Sequence, residues 1–265
     1  MSEFEKIEKS LFNALAPMKE HLDKIVLVGG WCPYLYIKYL WRKPLRNIPM
    51  TTDIDLGVIE TGSRRFDHTV YDKLREAGFA VERIYDKEEE PVEFIYRKGK
   101  IELKIEFITS FETSDDTLNR FLGRQLACNR IEAFEILLEN PVHIVLRGIA
   151  AELELAIPRP ETFLFHKGLT FVMRSYELKK NKDLFGVYFI LKFYPDQNQL
   201  LKAVFAYKKH EFFKSFRKNI IEYLSDVTRP GYLMLRPFLR RWVEENRINQ
   251  DIRDTFEPLL RTIEK

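Results

Sequence analysis

Thr52-Asp53-Ile54-Asp55-Leu56, read together with Gly29-Gly30 upstream, decides how this chain is interpreted. In an extended strand, side chains alternate between faces. Asp53 and Asp55 therefore point one way, and Ile54 and Leu56 the other. Asp is disfavoured in strands, so the pair calls for a reason; the plain alternative is a solvated strand carrying two surface acids. Ile25-Val26-Leu27-Val28 reads as a short buried strand ending at the two glycines. Trp31 to Trp41 reads as the helix that follows, with Pro33 tolerated in its first turn. A strand ending in glycines lets the backbone approach an anion, and the next helix offers unpaired N–H groups. Taken alone, Gly29-Gly30 is equally a tight strand-to-helix turn.

Working outward, residues 4 to 20 show helical apolar spacing through Phe4, Ile7, Leu11, Leu15 and Met18. Beyond the prolines at 44 and 49, Ile54 to Ile59 reads as a strand and Phe66 to Ala77 as a helix closed by Gly78. Ala80 to Tyr85 reads as a strand and Asp86 to Glu90 as an acidic turn. Val92 to Arg97 and Ile101 to Ile108 form a hairpin around Lys98-Gly99-Lys100. In its second arm Ile101, Leu103, Ile105 and Phe107 share one face, and Glu102, Lys104 and Glu106 the other. His143 to Leu146 and Ala151 to Ile157 are further strand-like runs. After Pro158-Arg159-Pro160 the periodicity is helical, with breaks near Tyr194-Pro195, Arg229-Pro230-Gly231 and Arg236-Pro237. The expected architecture is α+β: a mixed sheet flanked by helices over residues 1–157, then a helical domain over 158–265.

Bulk properties narrow the class. The 265 residues suffice for one large or two modest domains with a real core. A formal charge of +3 neither demands nor excludes a nucleic-acid partner. The 21 Phe and 12 Tyr mark an ordered chain. Cys32 and Cys128 lie far apart and form neither a paired-cysteine metal motif nor a disulfide framework. Met1-Ser2-Glu3 opens no signal peptide, and no apolar run has membrane-spanning length; the expectation is a soluble, cytoplasmic protein.

Mg²⁺ favours oxygen ligands and is typically held by one or two carboxylates plus substrate phosphates. Asp53 and Asp55 supply such carboxylates, and Mn²⁺ would accept the same donors. The combination with Gly29-Gly30 points to a metal-dependent enzyme acting on a nucleoside triphosphate. A third acid would complete a two-metal site. Glu106 is the candidate and Glu102 the runner-up; the alternative is an exposed strand acid.

Gly29-Gly30, a helix, a loop containing Arg46, and Thr52-Asp53-Ile54-Asp55-Leu56 together resemble the signature of the nucleotidyltransferase superfamily of the DNA polymerase beta type. The spacing and Thr52 resemble one branch in particular, the AbiEii-type toxins of bacterial toxin–antitoxin and phage-abortive systems. In the second half, Pro160-Glu161-Thr162-Phe163-Leu164 leads to Lys167, Arg174 and Lys182-Asp183-Leu184, which is similar to that family's later pattern. The resemblance implies that Gly29, Gly30 and Thr52 bind nucleotide and that Asp53, Asp55 and Glu106 are catalytic metal ligands. It also implies that Lys167 binds the triphosphate, Arg174 orients it, and Asp183 supports the site. It implies NTP as substrate, a hydroxyl acceptor such as tRNA, and an antitoxin protein as partner. Lys167 and Arg174 are spaced to share a helix face, which is equally the spacing of an ordinary solvated face. Lys182-Asp183 is equally a surface ion pair. Trp31-Cys32-Pro33 stand where the family more often has a small residue, and Glu106 where Asp is usual.

His21, His68, His143, His166 and His210 lack zinc-ligand spacing, and Cys32 reads as a buried inert thiol. Tyr207 to Lys218 and Arg240-Arg241-Trp242 mix aromatic and basic residues. Such mixing can bind RNA, but its helical spacing favours aromatics turned inward and lysines outward. Three other functions remain open: transfer to a protein or small molecule, a catalytically silent nucleotide- or protein-binding module, and a general RNA-binding module.

Overall fold

The computed structural model describes residues 3–44, 51–59, 66–83, 92–148 and 151–264. Arg46, Pro49, Tyr85 and the acidic run 86–90 lie outside them. The strands are β1 (Ile25–Val28), β2 (Asp53–Val58), β3 (Ala80–Arg83), β4 (Val92–Lys98), β5 (Ile101–Thr109), β6 (Cys128–Arg130), β7 (Val142–Arg147) and β8 (Glu152–Ile157). The first α-helices are α1 (Glu3–Leu15), α2 (Cys32–Leu35), α3 (Val70–Glu76), α4 (Asp115–Phe121) and α5 (Glu135–Leu138). After them come α6 (Pro160–Thr170), α7 (Glu177–Phe193), α8 (Gln197–Ala206), α9 (Phe213–Leu224), α10 (Pro230–Leu239) and α11 (Ile248–Ile263). The chain divides into two compact units: Met1–Cys32 with Met50–Pro158, and Pro33–Pro49 with Arg159–Lys265.

The first unit is one mixed sheet in the order β3-β4-β5-β2-β1-β8-β7, with β6 added to β5. β2 runs antiparallel to β1 and parallel to β5, so the aspartate strand is central. Central strands need one well-buried face, and Ile54, Leu56, Leu103, Ile105 and Phe107 supply it, each nearly inaccessible. The expected hairpin forms around Gly99, whose φ of +60° the turn requires. The first helix is shorter than its apolar spacing implies: a 3₁₀ stretch (Ala16–Lys24) takes over with Pro17 in its first turn. The Phe66–Ala77 helix starts late, because Thr69 and Asp72 form a capping box that sets its N-terminus at Val70. After the glycine pair the expected helix forms as one run of changing pitch: a 3₁₀ turn at Gly29–Trp31, then α2, then a π-helical turn at Tyr36–Leu40.

The helical unit is built around α6 and α7. Most of α6 and all of 183–191 are buried, so these helices are apolar nearly all round and α8 to α11 cover them. Pro33–Pro49 belongs to this unit through contacts such as Tyr36 edge-on to Phe163 and Lys43 Nζ donating to the Phe193 carbonyl at 2.7 Å. The break expected at Arg236-Pro237 does not occur. Pro237 lies inside α10, and the residue four before it, whose carbonyl a proline cannot serve, is the exposed Leu233, on the solvent side of the helix. In the basic–aromatic run, Phe213 and Phe216 turn inward and Phe165 stacks on Tyr207, while Lys214 and Lys218 stay exposed. No helix among the described residues is long and apolar enough to cross a membrane.

Candidate active site

β1 and β2 pair so that Val28 lies opposite Asp55, which brings the glycine turn to the end of the aspartate strand. Gly29 has φ +71°, and a Cβ placed on it would fall 1.8 Å from Asp55 Oδ2. Its backbone therefore lies directly against the carboxylate. Gly30 packs similarly against Thr51, 2.7 Å from Cγ2 to a built Cβ. Thr51 Oγ1 accepts from the Asp53 N–H at 3.2 Å. Thr52, named as nucleotide-binding by resemblance, is exposed, and its carbonyl accepts from the Lys104 N–H at 2.9 Å. Thr51, which sequence reasoning missed, is the threonine beside the glycine turn.

Asp53 and Asp55 are half-buried, while Ile54 between them is sealed in the core. Parallel pairing sets Asp53 beside Lys104 and Asp55 beside Glu106. Register thus puts Glu106 next to the aspartates, and places Glu102 at the hairpin end with Arg97, Nε to Oε2 2.8 Å. Lys104 Nζ lies 2.5 Å from Glu93 Oε2 and 3.2 Å from Glu106 Oε1. Burial alone would lower the Lys104 pKa; hydrogen bonds to Glu93 and Glu106 more than reverse this and hold the ammonium charged. Sequence reasoning did not single out Lys104 or Glu93. The signal was present in the alternation Glu102, Lys104, Glu106 on one strand face.

Asp53 and Asp55 fit a hard divalent cation: two carboxylates on one face, partly open to solvent, with a glycine turn beside one of them. Glu106 stands in an ion pair instead of standing open. No three His, Cys, Asp or Glu among the described residues converge into a metal-holding group.

In the helical unit, Asp183 gathers both predicted cations. Lys167 Nζ reaches Oδ1 at 2.5 Å, and Arg174 Nε reaches Oδ2 at 2.7 Å. Lys167 and Arg174 do not share a helix face. α6 ends at Thr170, whose hydroxyl turns back to the His166 carbonyl, and Arg174 follows a 3₁₀ turn in extended conformation. They meet on Asp183 because α7 packs beside α6. Burial pushes the Asp183 pKa up, but Lys167 and Arg174 pull it further down, leaving the carboxyl below its ordinary range. Lys182 is exposed, so Lys182-Asp183 is not the pair its adjacency implied. His166 is buried within α6.

Residues 9–207 match the profile of a family described as nucleotidyltransferase. The chain belongs to that nucleotidyltransferase family. The match spans both the aspartate strand and the Lys167–Asp183 region of this nucleotidyltransferase. Among solved structures it is similar to an antigenic nucleotidyltransferase-like protein from Paracoccidioides brasiliensis, with 15% identity and a TM-score of 0.39. That similarity covers 80% of this chain and 92% of the other. No curated protein matches.

Proposed function

We propose that this nucleotidyltransferase is metal-dependent and moves a nucleoside monophosphate from an NTP to a hydroxyl acceptor. The observation that carries the reading is the packing of the Gly29 backbone against Asp55, with Asp53 on the same strand face. Asp53 and Asp55 would hold Mg²⁺ or Mn²⁺. When bound, the ion supplies charge neutralisation of the phosphates and eases loss of the acceptor's proton. The bare backbone at Gly29-Gly30 lets a triphosphate approach closely. The resemblance assigns Lys167 to binding the triphosphate and Arg174 to orienting it; within the helical unit both cations are held on Asp183. The acceptor oxygen attacks the α-phosphorus in line, the bond to pyrophosphate breaks, and the acceptor's proton passes to the acidic strand face or to solvent. The enzyme's part is positioning and electrostatics. The resemblance to AbiEii-type toxins supports tRNA as acceptor, an antitoxin as partner and a cytoplasmic setting.

A second reading has its own observation. Lys104 holds Glu106, the residue in place of a third catalytic acid. On that reading the chain is a silent module that binds nucleotide or a protein.

One assay separates them. The protein is incubated with Mg²⁺, each α-labelled NTP and bulk tRNA, beside an Asp53→Ala/Asp55→Ala control. Label on RNA that the control lacks supports the toxin-like transferase. Label on protein instead identifies a protein acceptor. NTP binding without label in any lane supports a small-molecule acceptor or the silent module.

A further inference from the structure

Lys104 sits in the middle of the acidic face. On β5 it lies between Asp53 of β2 and Ile95 of β4. Glu93 and Glu106 are the next positions along, since Phe94 pairs with Ile105. Without a cation between them, two carboxylates on adjacent strands would repel each other beside a third, Asp55. The Lys104 ammonium bridges both, at 2.5 and 3.2 Å. The two acids are mostly buried, with side chains 14% and 21% exposed, so this is not a loosely solvated surface pair. The charges also sort into two groups. Asp53 and Asp55 balance one divalent ion. Glu93 and Glu106 are already shared by a lysine, whose positive charge opposes a second ion in the same place.

We propose that Lys104 is a resident cation on this face: it holds Glu106 out of the metal's coordination sphere and restricts the site to a single divalent ion. The inference rests on the assignment of Asp53 and Asp55 as metal ligands. Glu106 then serves as a carboxylate fixed by its neighbour and not as a ligand. Removing Lys104 would leave Glu93 and Glu106 free beside Asp55 and create a second ion site.

The test is titration of the full chain with Mn²⁺ alone, following the free ion by electron paramagnetic resonance, with circular dichroism to confirm that each variant is folded. The wild type is expected to bind a single Mn²⁺, and Glu106→Gln to leave that affinity unchanged. Lys104→Met, close in volume, is expected to take up a second Mn²⁺, which Lys104→Met/Glu106→Gln loses. Lys104→Arg, which keeps the cation, is expected to behave as the wild type. The proposal is overturned by a loss of about tenfold or more in Mn²⁺ affinity in Glu106→Gln, the scale on which even outer-shell changes register. It is equally overturned if Lys104→Met gains no second ion. The underlying assignment fails separately: Asp55→Asn binding Mn²⁺ as the wild type does, or a wild type that binds none, removes the aspartate site itself and this inference with it.

Discussion

The Gly29 backbone and the Asp55 carboxylate occupy adjoining space so closely that a Cβ on Gly29 would lie 1.8 Å from Oδ2. Two demands meet at this position. The φ of +71° favours glycine, and the neighbouring acid leaves no room for a side chain. Gly29→Ala should therefore cost about 1–2 kcal/mol of backbone strain and displace Asp55. A misplacement of this kind lowers rate about a hundredfold. The check is nucleotidyl transfer by Gly29→Ala beside its thermal melt. A variant that remains folded with full activity would show that Asp55 has freedom the packing denies it.

Asp183 makes acid stability measurable. Its carboxyl is depressed below the ordinary range by Lys167 and Arg174 despite burial. A depressed carboxylate contributes stability that is complete above its unfolded pKa of about 3.9. That contribution is lost as pH falls through the lower folded value. Melting temperature should drop as pH falls below about 4, and Asp183→Asn should flatten that part of the curve. At neutral pH the same variant leaves the largely buried Lys167 without its carboxylate, and should lose about 3–5 kcal/mol in urea unfolding.

Gly168 lies in α6 where a built Cβ would fall 2.5 Å from the buried Phe216 ring. Helix propensity favours Ala over Gly by about 1 kcal/mol, but forcing the ring aside costs about 1–3 kcal/mol. Gly168→Ala should thus be neutral to destabilising, by up to about 2 kcal/mol net. Denaturant midpoints read this directly. A clear gain in stability would show that Phe216 yields freely.

The cysteines should be quiet. Cys32 is fully inaccessible, and burial pushes the Cys128 thiol up to about 12, with Arg130 pulling it back only in part. Thiolate is the reacting form. A chromogenic disulfide reagent at pH 8 should label neither residue in the native protein on the minute scale, and both after denaturation. Rapid native labelling of one thiol would contradict this.

Asp53, Asp55, the glycine turn and the hairpin of β4 and β5 were legible from residue order, because strand alternation and turn chemistry are local. In the basic–aromatic run only the part from Phe213 to Lys218 is the amphipathic helix expected, with Phe213 and Phe216 at helical spacing; Tyr207–Lys209 is a 3₁₀ turn and residues 240–242 lie in a turn after α10. The Lys167–Arg174 face was misread. Spacing alone does not register that α6 stops at Thr170. Pro237 misled in the same way, because a proline's cost depends on whether the orphaned carbonyl reaches water.

What the sequence determined by itself was the α+β class, the polar face of the aspartate strand and, at the level of nucleotidyltransferase, the kind of family. Tertiary structure alone decided the neighbours. Parallel pairing of β2 with β5 set Glu106, and not Glu102, beside Asp55. Strand register put Lys104 between Glu93 and Glu106. Packing of α7 on α6 carried Asp183 to both Lys167 and Arg174. Alternation along one strand tells which way a side chain points. Which charge it meets is set by the register of another strand or the packing of another helix, brought there by burial of apolar faces distant in sequence.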